Sequence, residues 1–177
     1  MTTSEVYYDV ETQFSAEEVG GWNNIHLMRV SVAVTWCEKE GFVAWLEDSI
    51  PAMLNFLQPF DKIVSFNGDR FDARVLSYYG NVLPLQLKSF DVLVDLTKRL
   101  GHRIRLDALA QATLGLGKSA DGLQALRWWK EGKVEEIARY CQQDVKVLRD
   151  VVAFGRANGF VRYVDNKGAP KQVAVQW

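Results

Sequence analysis

Asp9 and Glu11 stand two positions apart in the stretch Glu5-Val-Tyr-Tyr-Asp-Val-Glu-Thr12. Val and Tyr around them favour a buried strand. The strand period of two then points both carboxylates to one face. Two like charges on one buried face are costly unless a cation neutralises them. A hard divalent ion suits oxygen donors of this kind. A solvated strand end would accommodate the same pair at no cost, so the pair needs support from elsewhere in the chain.

That support comes from a long helix expected over Val134 to about Asn158. Ile137, Cys141, Leu148, Val151 and Val152 fall on one apolar arc of it, and Asp144 falls in the middle of that arc. Tyr140 lies one turn earlier on the same side. A carboxylate on a core-facing stripe costs several kcal/mol unless it is paired, bound to metal or capping a backbone group. Asp72 is a second case, heading a stripe of Val75, Leu76 and Tyr79 while Arg74, Ser77 and Tyr78 face out. Near a helix start an acid is also favoured by the helix dipole, which makes Asp72 weak evidence by itself. Four inward acids on three separated elements are the combination that two divalent ions need for phosphodiester hydrolysis.

The elements that must position these groups follow from periodicity and turn residues. Strands are expected over Glu5–Thr12, His26–Trp36 and Gly41–Trp45 as an antiparallel meander, with Gln13 to Asn24 a loop. A helix follows from Ser49, the expected N-cap, to Leu57, then a strand over Lys62–Phe66 that runs into Asn67-Gly68-Asp69. Helices are expected over Arg70–Tyr79, Asp91–Leu100, Leu106–Leu114 and Leu123–Glu131, with a short strand at Lys88–Phe90 and a loop holding Lys118. Phe160–Val164 and Gln172–Trp177, joined through Asn166-Lys-Gly168, read as a hairpin. The fold class is α/β, a mixed sheet in which an antiparallel meander is followed by parallel strands, flanked by helices. Residues 1–177 form a single domain, with 160–177 a C-terminal β-hairpin extension.

The composition is ordinary for a globular chain, with 48% hydrophobic and 24% charged residues. Cys37 and Cys141 make no disulfide framework, and no Cys and His pair has zinc-site spacing. No signal peptide is visible, and no apolar run approaches the roughly 18 residues of a membrane span. A soluble, cytoplasmic protein is expected. A net charge of −1 argues against coating nucleic acid by charge alone. It leaves room for local phosphate contacts at Arg70 and Arg74, along Lys98–Arg105, or at Arg127, Lys130 and Lys133. Trp22, Trp128 and Trp129 could stack on bases, although core packing is the expectation for each.

Three segments in order, Asp9-Val-Glu11-Thr12, Asn67-Gly-Asp-Arg-Phe71-Asp72 and Tyr140-Cys-Gln-Gln-Asp144, resemble the exonuclease motifs of DEDDy-type 3′–5′ exonucleases. The match is closest to proofreading domains of family B DNA polymerases and their stand-alone relatives, over residues 5 to about 152. The segment Arg105–Gly115 also looks like a stretch preceding the third motif in these relatives. This resemblance implies an RNase H-like (DnaQ-like) fold, two Mg²⁺ or Mn²⁺ ions, and release of nucleoside monophosphates from a 3′ end. It implies that Asp9, Glu11, Asp72 and Asp144 hold metal, that Tyr140 positions the water, and that Thr12, Asn67 and Phe71 line the terminal-nucleotide pocket. Single-stranded DNA is the favoured partner, with RNA the alternative. A polymerase, helicase or other repair or replication protein is a further expected partner. The other functional reading is a catalytically silent RNase H-like binding or docking module; an endonuclease of this fold is disfavoured by the tyrosine motif. His102-x4-Asp107 has the spacing of the sister class that uses histidine. Asp107 reads instead as a helix-start residue, and the tyrosine motif at Tyr140 is preferred.

Overall fold

The computed structural model describes residues 4–116, 122–165 and 167–177. Five strands form one sheet in the order β3-β2-β1-β4-β5: β1 (Glu5–Thr12), β2 (Val30–Cys37), β3 (Gly41–Leu46), β4 (Lys62–Ser65) and β5 (Ser89–Asp91). β1, β2 and β3 pair antiparallel, while β4 and β5 join parallel to β1. The mixed sheet is the one expected from the sequence.

Both faces of the sheet are covered, which is why β1 alternates yet stays apolar on both sides. Val6, Tyr8 and Val10 pack against α1 (Ile50–Leu57) and α2 (Asp72–Leu76), with α3 (Leu83–Leu87) behind them. Tyr7, Asp9 and Glu11 occupy the other face, under α4 (Val92–Leu100), α5 (Leu106–Leu114), α6 (Gly122–Lys130) and the long α7 (Val134–Asn158). Ile137, Cys141, Leu148, Val151 and Val152 of α7 are buried there, as their spacing requires. A second sheet, β6 (Phe160–Val164) with β7 (Pro170–Ala174), packs on α5 and α7. No helix among the described residues is long and apolar enough to cross a membrane.

Several boundaries differ from the sequence reading. The second strand does not begin at His26, because Trp22–Met28 is a 3₁₀ helix. Ile25 and Met28 are buried three residues apart while Leu27 is exposed, a helical spacing that overrides the apparent alternation. Arg29, at φ 54°, turns the chain into β2. The Arg70–Tyr79 helix shrinks to α2, with turns on both sides. Ser49 stands at the N-cap of α1 as expected, but its hydroxyl donates to the Leu46 carbonyl and makes no capping bond. α3, with Pro84 in its first turn, has too few residues to show a period and was not foreseen. The final strand is Pro170–Ala174 rather than Gln172–Trp177. Trp177 leaves that strand, sets its ring against Phe90 and donates its indole N–H to Asp95 at 2.8 Å. Lys118 and Asn166 lie outside the described residues.

Candidate metal centre and cleft

Asp9 and Glu11 lie at the carboxyl end of β1, beside the ends of β4 and β5 to which it runs parallel. In open α/β sheets this is where ligands bind. The pairing of β1 with β2 shifts between Glu11, opposite Val32, and Thr12, opposite Val30, so that Ser31 is the extra residue of a bulge on β2. Asp144 reaches the same point from α7. One carboxylate oxygen from each of Asp9, Glu11 and Asp144 lies within 4.8 Å of the others.

Asp72 does not join that group at this spacing, but it is close enough to act on it by charge. It is 3% exposed, and its Oδ1 has no hydrogen-bond partner. Its placement depends on the loop after β4. There Asn67 takes a positive φ of 70°, and a Cβ on Gly68 would collide with Ser65 and the Tyr8 hydroxyl. Asp91 holds the loop: its carboxylate accepts the Asn67 N–H at 2.8 Å and the Asp69 N–H at 3.1 Å. The same carboxylate caps α4 through the Leu93 and Val94 amides.

The four acids resist ionisation together. Burial first, then the charges of Asp72, Glu11 and Asp144, push Asp9 well above the usual carboxylate range. Burial and the charges of Asp144 and Asp72 do the same to Glu11. Asp72 is pushed up to about 7, chiefly by burial, against the opposing pull of its own and the Val10 amides. Asp144 is pushed up to about 6 by burial, with a hydrogen bond from Tyr140 working the other way. Burial and the neighbouring carboxylates push the Tyr140 hydroxyl far up, so it stays protonated at neutral pH. An orphaned buried carboxylate oxygen beside three converging carboxylates fits a hard divalent cation, which would supply the missing charge and accept the oxygens.

The acids stand where two lobes of one cleft meet, with Asp9, Phe66, Asn67, Arg105 and Gly122 common to both. The larger lobe, about 600 Å³, is lined by Thr12, Asn67 and Phe71, along with Glu11 and Asp72. Thr12 is buried there and donates its hydroxyl to the Phe14 carbonyl at 3.1 Å. The smaller lobe, about 380 Å³, holds Tyr140, Asp144, Arg103 and Asp107. Trp22 lines the larger lobe and is 68% exposed, so the core placement expected of it is wrong. The paired glycines before it, both at positive φ, carry it out of the core and onto the rim. Trp128 and Trp129 are half-buried against the α7 side of the core, as expected.

His102 is not among the cleft-lining residues; it is exposed, with its ring against Tyr163. Asp107 is in the first turn of α5 and is held by Arg105 through two hydrogen bonds of 3.1 Å. Two residues matter to the geometry, Asp91, which reads in the sequence only as the start of a helix, and Arg103, which reads there only as one of the basic Lys98–Arg105 run. Arg103 donates to the Asn67 side-chain oxygen at 2.7 Å, and Asp91 fixes the backbone of the same loop. Asp91 carried a readable signal, an acid immediately before a helix.

A search of curated proteins finds no match to the chain. Among solved structures, the family B DNA polymerase from the hyperthermophilic archaeon Pyrobaculum calidifontis is similar, with a TM-score of 0.65 at 15% identity. The alignment covers 89% of this chain and 25% of that one, so the chain spans about a quarter of that polymerase's length, and the likeness is one of fold. The model of the RNase H superfamily matches residues 6–154, which carry the five-stranded sheet from Val6 on and all four acids. The chain belongs to the RNase H superfamily.

Proposed function

We propose that the protein is a divalent-metal-dependent 3′–5′ exonuclease of the DEDDy type. Its substrate is single-stranded DNA, with RNA the alternative, and its products are nucleoside monophosphates. One observation carries this reading. Tyr140 and Asp144, one turn apart on α7, stand in the cleft with Asp9, against which Asp144 and Glu11 converge. Asp9, Glu11, Asp72 and Asp144 would hold two Mg²⁺ or Mn²⁺ ions. Such ions, when bound, lower the pKa of coordinated water and offset charge on attacking and leaving oxygens.

The chain's own groups do the rest. Thr12, Asn67 and Phe71 receive the terminal nucleotide in the larger lobe, setting its 5′ phosphate against the acids. Tyr140, protonated, orients the attacking water rather than taking its proton. Water oxygen bonds to phosphorus and releases a proton to solvent, the bond from phosphorus to the preceding 3′ oxygen breaks, and that oxygen takes up a proton from solvent and leaves as a hydroxyl. The test is a 5′-labelled linear oligonucleotide with Mg²⁺ or Mn²⁺, beside a closed circle of the same sequence. A ladder shortening from the 3′ end with the circle intact is expected. Early internal cuts, a digested circle or no cleavage at all would overturn the reading.

A further inference from the structure

The superfamily match ends at residue 154, and the β6–β7 hairpin lies beyond it. Val161 and Val173, opposite one another, set the inner face of this hairpin into the core. Further toward the turn the same face continues with Tyr163 opposite Lys171. The Tyr163 ring meets the His102 ring at 6.1 Å. His102 adjoins Arg103, whose guanidinium reaches the Asn67 side chain in the cleft wall. A continuous run therefore leads from the cleft to the hairpin: cation, two rings, cation.

The charges at both ends of the run are available. Arg103 is exposed and bonds to a neutral amide oxygen, and among the described residues it forms no ion pair with an acid. Lys171 is exposed, and among the described residues it forms no ion pair; the nearby Asp165 accepts the Lys167 and Ala169 amides through its Oδ1. The neighbouring Arg99 and Arg105 differ, each spent on a carboxylate, Asp95 and Asp107. Exposed or half-buried rings flanked by cations suit a strand whose bases are unpaired and free to stack.

We propose that Arg103, His102, Tyr163 and Lys171 form a track for the single strand leading up to the 3′ end, with phosphates on the two cations and bases on the two rings. The proposal rests on the reading of the cleft as the 3′-end site and extends it by an accessory surface on the hairpin. Binding is measured by anisotropy with labelled single-stranded phosphorothioate DNA that resists cleavage, in Mg²⁺. One oligonucleotide has two or three nucleotides and the other about twelve, within the span of such surfaces. The wild type is expected to bind the long one at least about tenfold more tightly. Lys171→Glu should weaken the long one about tenfold more than the short one, and lower its salt slope by about 0.7 for the lost contact. Tyr163→Leu, which keeps an apolar side chain on the hairpin, should also lose part of the length dependence. Lys39→Glu, in the turn between β2 and β3, should bind both as the wild type does. Length-independent affinity in the wild type would overturn the track, as would equal losses in Lys171→Glu and Lys39→Glu. Cleavage of the short oligonucleotide's unmodified counterpart tests the cleft alone, so failure of the one reading is distinct from failure of the other.

Discussion

The Cys141 thiol donates to the Asp9 side chain at 3.4 Å and to the Asp9 backbone carbonyl at the same distance. It thereby ties α7 to β1 one residue after Tyr140, at the level of the converging acids. Burial and the charges of Asp9 and Glu11 push this thiol up, which suppresses the thiolate. Cys37 is buried too. Neither cysteine should react with an alkylating reagent in the native protein, and both should react once urea unfolds it. Cys141→Ala should cost about 1–2 kcal/mol for the lost packing and weak hydrogen bond, read from the urea midpoint.

The acids make an unusual prediction for the metal-free protein. Asp72 has a folded-state pKa raised to about 7 against an ordinary value of 3.8. A raised folded pKa means that the native state binds the proton more tightly, so its contribution is full below about pH 4 and is lost as pH rises through 7. Asp144, raised to about 6, adds in the same direction. Metal-free protein should therefore lose on the order of 2–4 kcal/mol of stability between about pH 4 and pH 8, against the usual trend for carboxylates. Adding Mg²⁺ or Mn²⁺ at pH 8 should restore it and raise the melting temperature, and should do so much less in Asp9→Ala. Equal shifts in both proteins would argue against this acid cluster as the metal centre.

Asp91 touches no candidate ligand directly, yet one carboxylate serves four backbone amides. Removing it uncaps α4 and orphans the loop that leads to Asp72. Asp91→Ala should destabilise by about 2–4 kcal/mol in urea unfolding. Asp91→Asn, which keeps an acceptor oxygen, should lose less. In both, oligonucleotide cleavage should fall further than the folded fraction does, because Asp72 is misplaced.

The acids were legible because each broke a local pattern. Asp144 interrupts an apolar helical stripe, and Asp9 and Glu11 share one face of a strand that is otherwise Val and Tyr. Such signals need only neighbours three or four residues away. Asp91 with Asn67 and Arg103 with Asn67 join segments far apart in sequence, so no period announces them. The 3₁₀ helix at Trp22–Met28 was hidden for another reason. Its backbone break at Arg29 sits in a network in which the Gln13 side chain donates to the Val30 carbonyl and to Glu47, itself bound to Arg29 and Tyr79. A register decided by such a network leaves only an ambiguous alternation in the sequence itself.

Tyr140 separates positioning from proton transfer. Its hydroxyl is held protonated by burial and by the charges of Asp144, Glu11 and Asp9, so it is a poor base throughout the neutral range. In the proposed reaction its part is one oriented hydrogen bond to the attacking water, and Tyr140→Phe removes only the hydroxyl that makes it. Turnover should fall by about 10–10³-fold, with little change in KM. Asp144→Ala should cost more, since it takes away a carboxylate that converges with Asp9 and Glu11 as well as the partner of Tyr140. If Tyr140 were the base, kcat would rise with the ionisation of its hydroxyl, and that rise would vanish in Tyr140→Phe. The expectation is instead that wild type and Tyr140→Phe keep parallel pH profiles between about pH 6 and pH 9, displaced by a constant factor. Profiles of different shape would assign the phenol a proton-transfer role.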